Sequence, residues 1–134
     1  MGKAPLTHVF ELSVAANASG ATLVTPVGVA PFTGSVVEVL YAPSANITGA
    51  DTHSRTFSLI NKGLDGNGAV AAATLANVSG VNFLDFDAKA ITLNANATGV
   101  AVAEGDVLVW SSAHVGNGLA DPGGLVTVEL SRTP

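Results

Sequence analysis

Five stretches of this chain alternate residue by residue between two kinds of side chain, and that period of two constrains the fold more than any other feature. THVFELSV (Thr7–Val14) sets Phe10, Leu12 and Val14 against Val9, Glu11 and Ser13. SVVEVLYA (residues 35–42) sets Val37, Val39 and Tyr41 against Val36, Glu38 and Leu40. RTFSLINK (residues 55–62) sets Phe57, Leu59 and Asn61 against Thr56, Ser58 and Ile60. DVLVWSS (residues 106–112) and GLVTVELS (residues 124–131) repeat the pattern, the second with Val126, Val128 and Leu130 opposite Leu125, Thr127 and Glu129. Successive strand side chains point to opposite faces, so each run reads as a half-buried strand. ATLVT (21–25), NFLDF (82–86), AITLN (90–94) and VAVA (100–103) are shorter candidates.

Between these runs lie NASG, PVGVAP, APSANITGAD, KGLDGNG and HVGNGLADPGG. Their glycines permit positive φ, while Pro26, Pro31, Pro43 and Pro122 fix φ and withdraw ladder donors. One segment, AVAAATLAN (residues 69–77), is rich enough in alanine to read as a short helix of about two turns. About eight short strands with at most that one helix predict an all-β fold, an antiparallel β-sandwich of jelly-roll type. The Cys…Trp…Cys spacing of an immunoglobulin domain is missing. Residues 1–134 read as a single domain, with residues 1–8 a flexible N-terminal arm or a frayed end. Trp110, alone of its kind and in mid-strand, is expected to anchor the core or a subunit interface.

Composition removes several functions. With no cysteine, there are no disulfides, thiolate nucleophiles or cysteine metal sites. No apolar run approaches membrane-spanning length and the start lacks a signal-peptide core, so neither a membrane nor a secreted protein is expected. Lys3, Arg55, Lys62, Lys89 and Arg132 are scattered in a chain of net charge −5, which leaves nucleic acid no basic patch. Hydrophobic residues make up 48% and charged ones only 11%. So little charge suits faces buried in an oligomer or on a larger assembly, or a surface of Ser, Thr and Asn.

The stretch SSAHVGNGLADPGG (residues 111–124) brings Ser111, Ser112, His114 and Asp121 within fourteen letters. It lacks the G-x-S-x-G elbow, and nearness in sequence supplies none of a triad's geometry. Asp121-Pro122-Gly123 reads instead as a turn in a loop between two core strands. Asp51 with His53, and Asp85 with Asp87, have spacings that hold a cation only with further ligands; solvated loop carboxylates are the expectation. Glu104 with Asp106 belongs to a tight turn before a strand, and the aromatic platforms of a glycosidase cleft are too few. GLDGNG has no Lys-Ser/Thr to make a phosphate loop. The N-x-S/T triplets at Asn17, Asn46, Asn77 and Asn96 are what so Asn-, Ser- and Thr-rich a chain contains by chance. No catalytic, cofactor-binding or metal-binding residue is assigned.

Two long stretches, TPVGVAPFTGSVVEVLYAPSANITGADTHSRTFSLINKG and GDVLVWSSAHVGNGLADPGGLVTVELSR, resemble small head decoration or capsid-stabilising proteins of tailed bacteriophages. The resemblance is of pattern and covers most of residues 20–132. It implies a non-enzymatic β-rich virion protein without cofactors, often a homotrimer, on the outside of an assembled capsid. Its partner would be the major capsid protein, and assembly would take place in the host cytoplasm. A receptor- or glycan-binding β-sandwich of a phage fibre or tail is the other reading.

Overall fold

The alternating runs become nine strands in two antiparallel sheets in the computed structural model, which describes residues 6–133. They are β1 (Thr7–Val14), β2 (Leu23–Val29), β3 (Gly34–Pro43), β4 (Ser54–Asn61), β5 (Val70–Ala76), β6 (Lys89–Ala90), β7 (Ala101–Val102), β8 (Val107–Val115) and β9 (Gly124–Arg132), with one short helix, α1 (Ala97–Val100), between β6 and β7. One sheet has the order β1-β9-β3-β6, with β7 also on β3; the other has the order β2-β8-β4-β5. Strands β6 and β7 both lie antiparallel to β3, so they are two pieces of one interrupted strand. Counted that way, the chain is an eight-stranded jelly roll.

The interruption has a purpose in the fold. The Ile91 N–H still bonds to the Val39 carbonyl of one sheet (2.8 Å). Three residues later, Asn94 N–H bonds to Ala72 O (2.8 Å), and Thr92 O accepts from Thr74 N–H (2.9 Å), both on β5 of the other sheet. Residues 91–94 therefore cross from sheet to sheet and close that flank of the sandwich. Asn96 then caps α1 by accepting from Thr98 N–H.

Several expectations need correction. Residues 69–77 are not helical: Val70–Ala76 is β5, paired with β4. Helix propensity is a weak prior, and here small alanines are what fits, since Ala72 and Ala73 are buried where residues 92–94 pass over β5. NFLDF is loop, held by an isolated bridge from Phe83 to Ile47 and by Phe86 N–H donating to Pro43 O at the end of β3 (2.8 Å). Of AITLN, Ala90 ends β6, and Leu93 makes an isolated bridge to Ala73. Of the arm expected over residues 1–8, residues 1–5 lie outside the described part, while Thr7 and His8 open β1 opposite Ser131 and Leu130.

Strand β3 also departs from simple alternation. Val36 pairs with Leu130 and Glu38 with Glu129, so Val37 is an extra residue in a β-bulge. Val36, Val39 and Tyr41 face the core, while Val37 is turned out. Between the sheets, Tyr41, Phe57, Phe83 and Trp110 form one aromatic cluster, with ring centroids 4.9–5.8 Å apart. Val126, Val128, Leu130, Leu59 and Leu108 complete the core and are fully buried.

Deleting Val37 straightens the bulge and leaves Val39 and Tyr41 facing inward, so a folded protein with modest loss of stability is expected. Deleting Leu40 turns Tyr41 outward and should abolish folding. Thermal unfolding of the two deletion variants checks this.

Candidate functional site

Arg55 stands in a strand whose inward face continues as Phe57 and Leu59, and the guanidinium is wholly buried. Burying a charge is costly unless each of its donors is used. Here Nε–H donates to Leu119 O (2.7 Å), Nη1 to Ala21 O (3.1 Å), Ser112 O (3.0 Å) and Ser112 Oγ (3.1 Å), and Nη2 to Ala18 O (2.8 Å) and Ser19 O (3.3 Å). One side chain thus fastens the β1–β2 loop and the β8–β9 loop to the middle of the sandwich. Desolvation lowers the Arg55 pKa, and the charges of Asp121 and Tyr41 work against that shift.

Ser112 carries the network on, donating its hydroxyl to Asp121 Oδ2 (2.7 Å). The other oxygen, Asp121 Oδ1, accepts from the Tyr41 hydroxyl (2.5 Å) and from Gly123 N–H (3.0 Å). The last bond is the turn expected of Asp-Pro-Gly, yet Asp121 does more than turn the chain. It is buried and joins the polar cluster to the aromatic one through Tyr41. Burial, the bond to Asp121 and the Asp121 charge all push the Tyr41 pKa above its ordinary value, with Arg55 pulling the other way.

The remaining candidates from the sequence go to separate places. His114 is exposed, with Nδ1 against Gly116 O (3.0 Å). Ser111 faces the opposite side of β8 from Ser112. His53 Nδ1 accepts from Asn117 N–H (2.9 Å), and Asp51 accepts from Ser79 N–H (3.0 Å). Asp106 Oδ2 accepts from Ala103 N–H (2.8 Å) and Asn61 Nδ2 (2.9 Å), which fixes the turn before β8. Asp85 and Asp87 are exposed in the β5–β6 loop. Among the described residues, no three His, Asp or Glu side chains come together as metal ligands. Gly118 (φ +72°) and Gly123 (φ +80°) hold the left-handed backbone of the β8–β9 loop; a Cβ on Gly118 would lie 1.9 Å from Ser19 O.

The two outer faces of the sandwich differ in kind. On the β2-β8-β4-β5 sheet, the register lines up Val24, Ser111, Ser58 and Thr74, then Pro26, Val109 and Ile60, then Ala113, Thr56 and Ala76. No charged side chain stands in these rows. On the opposite sheet Glu129 lies directly across from Glu38, and Glu11 is a diagonal neighbour on β1. Sequence reading missed this division, because it depends on which strands become neighbours.

No protein-family model matches the chain, and no curated protein matches it either. Among solved structures, a chain in the structure of infectious bursal disease virus Gx strain is similar over 97% of this chain, at 10% identity and a TM-score of 0.44. This chain covers 32% of that one, about a third of its length.

Arg55→Met takes the guanidinium donors from five carbonyl oxygens and Ser112 Oγ and leaves the buried Asp121 without its compensating positive charge, and should cost about 3–5 kcal/mol; Arg55→Lys, with one compact ammonium, should recover little of it. Tyr41→Phe should cost about 1–3 kcal/mol near neutrality. Its pH profile tests the cause: a raised folded-state pKa means stability that is complete below the ordinary tyrosine value and falls as pH rises above about 10. Tyr41→Phe should lose that alkaline slope. Gly118→Val should destabilise far more than His114→Ala. Thermal and urea unfolding across pH 7–11 measures all of these.

Proposed function

We propose that this chain is a non-enzymatic structural subunit of a virion, a decoration protein that binds the outer surface of an assembled tailed-phage capsid and stabilises it. The uncharged outer face of the β2-β8-β4-β5 sheet carries this reading. In a chain of net charge −5, a sheet face of Ala, Val, Ile, Pro, Ser and Thr can be covered by other subunits without desolvating an ion. The acidic face of the other sheet is left toward solvent. A homotrimer closed around uncharged surface, set on the major capsid protein, gains avidity from several modest contacts at once. The Ser112, Asp121 and Arg55 side chains are spent on holding loops, which suits a structural part. Under this reading the protein resides on the capsid exterior after assembly in the host cytoplasm.

A receptor- or glycan-binding module is favoured by one observation. Phe86 is 78% exposed on the β5–β6 loop, with φ +57° and Leu84 exposed beside it. An aromatic displayed in that way can serve as a sugar platform, and glycan-array binding lost in Phe86→Ala would establish it.

The capsid reading is tested by adding purified protein to capsids that lack it and imaging the occupancy. Val24→Glu charges the uncharged face, and Leu125→Glu adds to the acidic one. Val24→Glu should lower occupancy at least about tenfold, while Leu125→Glu should leave it nearly unchanged. Equal effects of the two, or no binding by the unaltered protein, would refute the proposal.

A further inference from the structure

We infer that the outer edge of β1, with which no strand among the described residues pairs, is a self-association surface, on which a second copy of this chain lays its own β1 antiparallel across a two-fold axis. The argument starts from the sheet edges. An unpaired strand edge offers a row of N–H and C=O groups to another chain, and folds usually blunt it. The edge of β2 is interrupted by Pro26 and by a bulge between Pro26 and Gly28. The edge of β5 is covered by Thr92 and Asn94. The outer side of β3 is flanked by β6 and β7, and the gap between them falls at the Val37 bulge, beside a cleft of about 290 Å³ that Glu38 also lines.

Only β1 lacks such a device among the described strands. It pairs with β9 over eight consecutive positions without a bulge, and contains neither proline nor lysine. Leu6 O accepts from Arg132 N–H, so Leu6 and Arg132 form a hydrogen-bonded pair. Bonded and non-bonded pairs alternate along an antiparallel ladder, so His8, Phe10, Leu12 and Val14 turn their backbone groups to β9. Thr7, Val9, Glu11 and Ser13 turn theirs away, and all four are exposed.

Side chains then select the register. A two-fold axis at Phe10 places Thr7 opposite Ser13 of the second copy and Val9 opposite its Glu11. Every outward backbone group is matched, with about eight new bonds. His8 meets Leu12 of the second copy and the two Phe10 rings meet at the axis, extending the edge-on contact that His8 and Phe10 already make at 4.5 Å. Phe10 and Leu12, only half-buried in one chain, become covered. An axis at Glu11 would oppose two carboxylates, and an axis at Val9 would shorten the overlap. The contact shares no residue with the uncharged face and does not depend on the capsid reading.

Sedimentation equilibrium of the full chain tests it, with thermal unfolding as the control for folding. The unaltered protein should associate in even numbers of chains, a dimer through β1 alone or a hexamer where the trimer also closes through the uncharged face. Val9→Glu, which sets Glu against Glu11 of the other copy, should weaken the association at least about tenfold. The double variant V9E/E11K should restore it, because opposite charges then face each other. Since the chain has no cysteine, Phe10→Cys should oxidise to a covalent dimer, while Val37→Cys should not. A monomer, or a trimer unaffected by Val9→Glu, would overturn the inference. So would equal behaviour of V9E and V9E/E11K, or equal crosslinking of the two cysteine variants. Val24→Glu and Val9→Glu act on different surfaces, so failure here is distinguishable from failure on the capsid.

Discussion

A single buried guanidinium holds one end of this molecule in shape. Loops of a β-sandwich have no ladder of their own, and their carbonyl groups need donors wherever they pass over the core. Arg55 supplies donors to five carbonyls on the β1–β2 loop, on β8 and on the β8–β9 loop. Ser112 then couples it to Asp121, and Asp121 to Tyr41 among the aromatic rings. Both charges are buried, and each depends on the other's position through the intervening hydroxyl. Polar and aromatic parts of the interior are thereby made one unit. The loops at this end are bonded to the interior.

Much of the sandwich was legible in the sequence, for a plain physical reason. Alternation with period two is a local property, and in THVFELSV, RTFSLINK and GLVTVELS it marks the faces that are buried. The polar cluster was partly legible too. Arg55 shares the parity of Phe57 and Leu59, and Ser112 that of Leu108 and Trp110, so both were due to point inward. Treating Arg55 as one of five scattered cations overlooked that signal. What the sequence could not disclose was non-local. The strand at residues 70–76 exists because β4 and residues 92–94 hold it on either side, against the preference of its alanines. The β3 bulge, which changes the phase between Val36 and Val39, is visible only against the register of β9. Which strands adjoin also decides that one outer face is acidic and the other uncharged.

The handling of edges follows from the same topology. A proline and a bulge, a crossing segment, and a split strand with a bulge at its gap each remove one edge from easy pairing. These are local irregularities, and each disturbs the ladder it protects. Strand β1 keeps an undisturbed ladder to β9 and the inward-facing triplet Phe10, Leu12 and Val14 that alternation requires. Regularity on the inside and availability on the outside come together in that strand.

The crossing of residues 91–94 has a mechanical consequence. Two stacked sheets are held mainly by their interdigitated side chains, and a backbone bond from one to the other adds a directional tie. Such a tie runs from Ile91 on one sheet to Thr92 and Asn94 on the other, along the flank of β3 and β5. On the opposite flank the Phe10 ring rests against Gly28, a contact between surfaces with no backbone bond across it. The two flanks are therefore closed differently, one stitched through the backbone and the other by an aromatic ring lying on a glycine. A side chain larger than hydrogen at residue 28 would meet the Phe10 ring directly, so the close approach of the sheets on that flank depends on a missing Cβ.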